Sequence, residues 1–162
     1  MIERVIERAL HRFRHQEPGT RLHWLSSDIA IGGVSRPEDW RAVYEAGVRA
    51  VVDLRGEPED LGADVRENGM RYLRLCLSKA PVPSAEELQI VASWVLERTA
   101  EDGRVLIQDA HARFNDGLVA VASLVKRGLP AHLALLALRR AMPRHSLNSL
   151  QNAELVRFAA AQ

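Results

Sequence analysis

The sequence predicts an α/β fold: a single domain with a mostly parallel central sheet of about 4–5 strands flanked by helices. Three observations carry this. Short β-like runs alternate with helical patterns through the first two thirds of the chain, the layout of strands joined by crossover helices. "RVLIQ" (104–108), a loop and the apolar run 117–127 follow in immediate succession, as where a buried strand feeds a helix. The length of 162 residues, 47% hydrophobic and 27% charged, suits one domain with its own core.

The elements follow in order. Ile2, Val5, Ile6, Ala9, Leu10 and Phe13 recur at helical spacing, so residues 2–14 are expected to form an amphipathic helix stopped by "EPGT" (17–20). Such a stripe ordinarily packs on its own domain; a dimer contact or a partner helix is the alternative. "RLHWL" and "DIAIGG" read as short strands, the second closed by Gly32 and Gly33. "RPEDWRAVYEAG" predicts a helix with Pro37 in its first turn and Gly47 as its stop. Trp40, Val43 and Tyr44 share one of its faces. "VRAVVDL" (48–54) is a buried strand, and residues 57–69 are a short helix or loop ending at Gly69. "RYLRLCL" (71–77) alternates like a strand with one exposed face. After the proline-braced "KAPVPS", Ser84 and Glu87 form a capping box at the head of "AEELQIVASWVLERTAEDG". "RVLIQ" is the central strand, and helical runs over 117–127, 130–141 and 147–160 complete the chain.

Bulk properties exclude several classes. A net charge of +1 argues against general attraction to nucleic acid or membrane. The single cysteine, Cys76, allows no intrachain disulfide and fits a reducing compartment. No apolar run approaches the ~18 residues of a membrane span. The first residues lack a signal-peptide core, so a cytoplasmic setting is expected.

The chemistry centres on "VLIQDAHARFNDG" (105–117). A strand, a tight loop and a helix N-terminus would aim backbone N–H groups at an anion. Yet Asp109 and Asp116 put carboxylates there. Here the chain resembles the cysteine-dependent dual-specificity and tyrosine phosphatases. "IAIGG" with "EDWRAVYEAGVRAVVDLR" looks like their opening strand, helix and second strand, and "VPSAEEL" like the start of their next long helix. "GLPAHLALLALRRAMPRHSLNSLQNAELVRF" looks like their closing helices, with Pro143, Asn148, Gln151 and Phe158 at familiar intervals. The resemblance implies a phosphatase-like domain over residues 21–160, preceded by the helix of residues 1–16.

That family's active-site signature reads His-Cys, two variable residues, Gly, two variable residues, Arg, Ser or Thr, Gly. It falls on "QDAHARFNDG" without a gap. Gln108 stands for the histidine, Asp109 for the nucleophilic cysteine, Ala112 for the glycine, Asn115 for the arginine and Asp116 for the hydroxyl residue; Gly117 alone matches. The general-acid aspartate is expected near Ser78–Pro81, where "SKAP" holds no acid. The family's chemistry needs a thiolate nucleophile, an arginine fork on two phosphoryl oxygens, backbone N–H donors and an acid for the leaving oxygen. Only the N–H groups survive. The expectation is that Asp109 takes those bonds itself, and that Asn115 or Asp116 caps the helix beginning near Gly117.

The residues favour a catalytically inactive phosphatase-like domain, a pseudophosphatase acting in binding or regulation. Its former phosphate loop runs through Asp109, Ala110, His111, Ala112, Arg113, Phe114, Asn115, Asp116 and Gly117. No catalytic residue, cofactor or bound metal is expected, nor is phosphate binding; a protein partner remains open. One alternative is a remodelled hydrolase or weak phosphatase using Asp109, His111 and Asp116, with a hard cation among them and Asn115. Another is an interaction protein that binds through a different face. Elsewhere the ordinary readings hold. Cys76 is a small buried strand residue. His23 and His132 are structural, and Trp24, Trp40 and Trp94 are core and surface-cover aromatics. Asp53 and Arg55 lie at a strand end, where Arg55 ties strand to loop. Arg139, Arg140 and Arg144 sit on a solvated helix face.

Overall fold

Val105, Leu106 and Ile107 are fully shielded from solvent because β5 (Arg104–Gln108) runs through the middle of a five-stranded sheet. The structure is a computed structural model that describes residues 20–34, 36–55, 61–75, 81–101, 103–109 and 114–162. Its other strands are β1 (Thr20–Trp24), β2 (Ile29–Val34), β3 (Val48–Asp53) and β4 (Arg71–Arg74). The order across the sheet is β1-β2-β5-β3-β4. All neighbours run parallel except β1, which pairs antiparallel with β2 at one edge. The expected mostly parallel sheet is therefore present.

Alternation along the strands divides the core in two. Val105 and Ile107 of β5, Ala50 and Val52 of β3, and Ile29 and Ile31 of β2 face one side. That side is covered by α3 (Ala85–Glu101), α4 (Asn115–Lys126) and α6 (Ser149–Ala160), with α5 (Ala131–Ala141) packed outside α4. Leu106, Val51 and Ala30 face the other side, against Trp40 and Val43 of α1 (Trp40–Glu45) and Val65 of α2 (Gly62–Glu67). α4 touches α3, α5, α6 and the sheet, which explains its apolar residues all round.

The expected elements hold with local differences. Residues 37–45 split into a 3-10 turn (Pro37–Asp39) and α1, as Arg36 grips Asp39 at 3.0 and 3.2 Å. β4 spans only Arg71–Arg74 as the edge strand. Ser84 and Glu87 form the capping box, with the Ser84 N–H 2.9 Å from Glu87 Oε2 and the Glu87 N–H 3.2 Å from Ser84 Oγ. The proposed helix over 2–14 and Cys76 lie outside the described residues. No described helix is long and apolar enough to cross a membrane.

Gly32 holds the β1–β2 edge close. A Cβ at this position would lie 1.8 Å from the Arg21 carbonyl oxygen, and its φ is +156°. Substitution by alanine must therefore push β1 off β2. Gly32→Ala is expected to cost roughly 2–4 kcal/mol in chemical denaturation, at or above the usual range for overpacking. Unchanged stability would mean that the edge yields without loss.

Candidate functional site: the loop between β5 and α4

The carboxyl end of β5 delivers Asp109 to the start of α4, the place where parallel α/β sheets present ligands. Asp109 is 8% exposed, and its Oδ2 accepts the Asn115 backbone N–H at 3.1 Å. Asn115 is the first residue of α4, so Asp109 meets one of the orphan donors of a helix N-terminus from six positions upstream. The carboxylate also suits the positive end of the helix dipole.

The residue before the helix contributes no cap. Phe114 is left-handed at φ 56° and ψ 27°, and offers no side-chain hydrogen bond to the helix. It is held by packing. Its ring lies 5.1 Å from that of His145, centroid to centroid, and covers Gly117, where a Cβ would stand 2.9 Å from two ring carbons. The signature glycine therefore admits an aromatic ring here.

The expectation that Asn115 or Asp116 caps α4 is corrected. α4 starts at Asn115, two residues earlier than expected, and the fully buried Asn115 side chain faces elsewhere. Its Nδ2 donates to the Pro81 carbonyl at 3.0 Å, and its Oδ1 accepts from Gln151 Nε2 at 3.0 Å. Gln151 is in turn fixed by a capping box with Asn148, each backbone N–H donating to the other side chain at 2.9 Å. Asn115 thus ties the segment before α3 to the first turn of α6, using the position where the family signature has an arginine. Asp116 meets a first-turn donor from inside the helix rather than from the position before it: its Oδ1 accepts the N–H of the next residue, Gly117, at 2.8 Å.

Asp116 is 9% exposed and lies near Asp109. Burial, with Asp109's charge adding to it, pushes its carboxyl from the ordinary 3.8 to about 7, although the Gly117 N–H acts in the opposite sense. The residue before Asp109 carries a separate cost. Gln108 is 1% exposed, and among the described residues neither amide atom has a hydrogen-bond partner.

Of the expected loop residues, the fold brings together Asp109, Phe114, Asn115, Asp116 and Gly117. Ala110, His111, Ala112 and Arg113 lie outside the described residues. Among the described residues no group of three His, Cys, Asp or Glu is placed to hold a metal. Asp53 and Arg55 pair with each other at the end of β3, with Arg55 Nε 2.9 Å and Nη2 3.0 Å from the two carboxylate oxygens. The Tyr72 hydroxyl adds a third bond at 2.9 Å. Half-buried His23 lies against the Ala141 carbonyl; burial lowers its pKa, and Arg21 and His145 act in the same direction. Sequence reasoning missed the roles of Pro81, Tyr72, His145 and Gln151. Only the Asn148–Gln151 spacing carried a local signal, that of a capping box.

The sequence matches no protein-family model and no curated protein. Solved structures do match. Tk-PTP in its active form superposes with a TM-score of 0.77 at 24% identity, over 91% of this chain and 100% of that one. PTPMT1, solved in complex with PI(5)P, gives 0.76 at 19% identity over 86% and 95%. Human DUSP28 gives 0.74 at 18% identity over 90% and 96%. The fold is that of the dual-specificity and tyrosine phosphatase-like proteins.

Asp116 makes stability fall with rising pH. Between the ordinary 3.8 and about 7 the unfolded chain loses this proton while the folded chain keeps it. The penalty is absent below about pH 4 and complete above about pH 7, reaching at most ~4 kcal/mol. Asp116→Asn is expected to flatten that decline in denaturation curves, matching wild type near pH 4 and exceeding it at pH 8. Parallel profiles for the two proteins would contradict the assignment.

Proposed function

We propose that this protein is a pseudophosphatase: a phosphatase-like domain, spanning residues 21–160 behind an added helix over 1–16, that binds or regulates a protein partner without turning over phosphate esters. The observation that carries the reading is the Asn115 N–H bond to Asp109 Oδ2 at 3.1 Å. A carboxylate holds a donor that phosphate would need. A second anion about 4 Å away would be opposed by roughly 4 kcal/mol at an effective dielectric near 20. The helix terminus offers only about 0.3–2 kcal/mol in return. The position of the phosphate-gripping arginine holds Asn115, whose side chain is committed to Pro81 and Gln151. A single cysteine, Cys76, is consistent with a cytoplasmic setting.

One observation favours a second reading. The carboxyl of Asp116, at about 7, is suited to proton transfer at neutral pH beside the carboxylate of Asp109. A remodelled hydrolase would use Asp109 as nucleophile or base and Asp116 as acid, with His111 of the same sequence stretch as a further candidate.

Hydrolysis of p-nitrophenyl phosphate by wild type, Asp109→Ala, Asp116→Asn and Asp109→Cys/Asn115→Arg separates the two readings. Wild type is expected at the buffer blank, with any turnover confined to the double variant. Wild-type turnover that both Asp109→Ala and Asp116→Asn abolish would establish the second reading instead.

A further inference from the structure

Arg36, Arg41, Arg55, Arg98, Arg127 and Arg157 each pair with a carboxylate. Others, such as Arg49 and Arg104, bond backbone carbonyls and lie over aromatic rings. The outer face of α5 gathers three arginines without such partners among the described residues. Arg139 and Arg140 in its last turn, and Arg144 in the turn beyond, are exposed, and no carboxylate among the described residues pairs with them. Leu133 and Leu136 precede them, 41% and 40% exposed. The spacings 133, 136 and 140 place both leucines and Arg140 on one helical stripe, with Arg139 beside it. His145 follows Arg144, and its ring lies 5.1 Å from that of Phe114. This end of the face therefore neighbours Phe114, the residue that leads into α4.

We propose that this face of α5 docks an acidic amphipathic helix of a protein partner. Its apolar residues cover Leu133 and Leu136, and its carboxylates meet Arg139, Arg140 and Arg144. Charge and chemistry select this occupant. A phosphodiester backbone has no use for two adjacent leucines. Lipid recognition by basic clusters takes about 4–8 cations, more than this face presents. The chain's own residues 2–14 carry four arginines (4, 8, 12 and 14) against Glu3 and Glu7, so they would bring like charge to like. A second copy docking through the same face would oppose arginine to arginine. An acidic helix with apolar residues three and four apart satisfies both halves of the stripe, helix packed against helix. The proposal goes beyond the reading of the loop and stands whether or not Asp109 excludes phosphate.

The test selects random displayed peptides of about 16 residues, ~24 Å long as helices. They are panned on the full-length protein and on two triple variants, Arg139→Gln/Arg140→Gln/Arg144→Gln and its glutamate counterpart. The substituted side chains are exposed, and melting curves verify that the variants fold. Wild type is expected to enrich acidic peptides with apolar residues three or four apart. The best such peptide, synthesised alone, is expected to bind the glutamine variant about ten-fold more weakly, and to weaken similarly at high salt. The proposal fails if nothing is enriched, if enrichment lacks acidic bias, or if it persists on the variants. It fails equally if vesicles with about 30% phosphatidylserine, or a duplex of roughly 20 base pairs, bind more tightly than the best peptide.

Discussion

The Asn115 N–H bond to Asp109 Oδ2 is the contact on which the site depends. It joins the end of the central strand to the first residue of the most enclosed helix. α4 is buried from Asn115 through Val125 and cannot shift its register without breaking the core. A donor at its N-terminus must be met by something, and a side chain of the same chain meets it without the entropy loss of capturing a free ligand. The negative charge also complements the helix dipole. At the Asn115 N–H of this helix N-terminus, the polypeptide itself supplies the negative group.

The surrounding residues follow from that contact. With Asp109 turned onto α4, the chain enters the helix through Phe114 in a left-handed conformation, steadied by His145 and by the missing Cβ of Gly117. Asn115 is then free to use its side chain as a bridge between Pro81 and Gln151, joining three segments far apart in sequence. The costs collect at the same place. Asp116 is forced toward its neutral form, and the two amide atoms of Gln108 find no partner among the described residues, at a penalty of about 1–3 kcal/mol for each such group. Such local costs persist where the surrounding core over-determines the backbone, and here both β5 and α4 are buried in that core.

The sheet was legible because its signals are local. Branched apolar runs marked β2, β3 and β5, and the Ser84–Glu87 spacing marked the start of α3. The bond from Asp109 to a helix N-terminal N–H was also legible, since a strand, a loop and a helix in succession leave few roles for an acid at that position. The start of α4 was misplaced by two residues. Asn and Asp before an apolar run look like caps, and nothing local reveals that Asp109 already fills the role. The partners of Asn115 are 34 and 36 positions away in sequence, and a bond of that span leaves no periodic pattern. Phe114's left-handed backbone was equally hidden, because an aromatic residue carries no local preference for it.

The central claim is that Asp109 occupies the place of a substrate anion. A crystal structure grown with millimolar tungstate tests it most directly, because tungstate mimics the phosphoryl group in shape and charge. The account predicts an empty loop, with Asp109 still on the Asn115 N–H. Tungstate bound among the loop's backbone N–H groups, with the Asp109 carboxylate turned away, would contradict it.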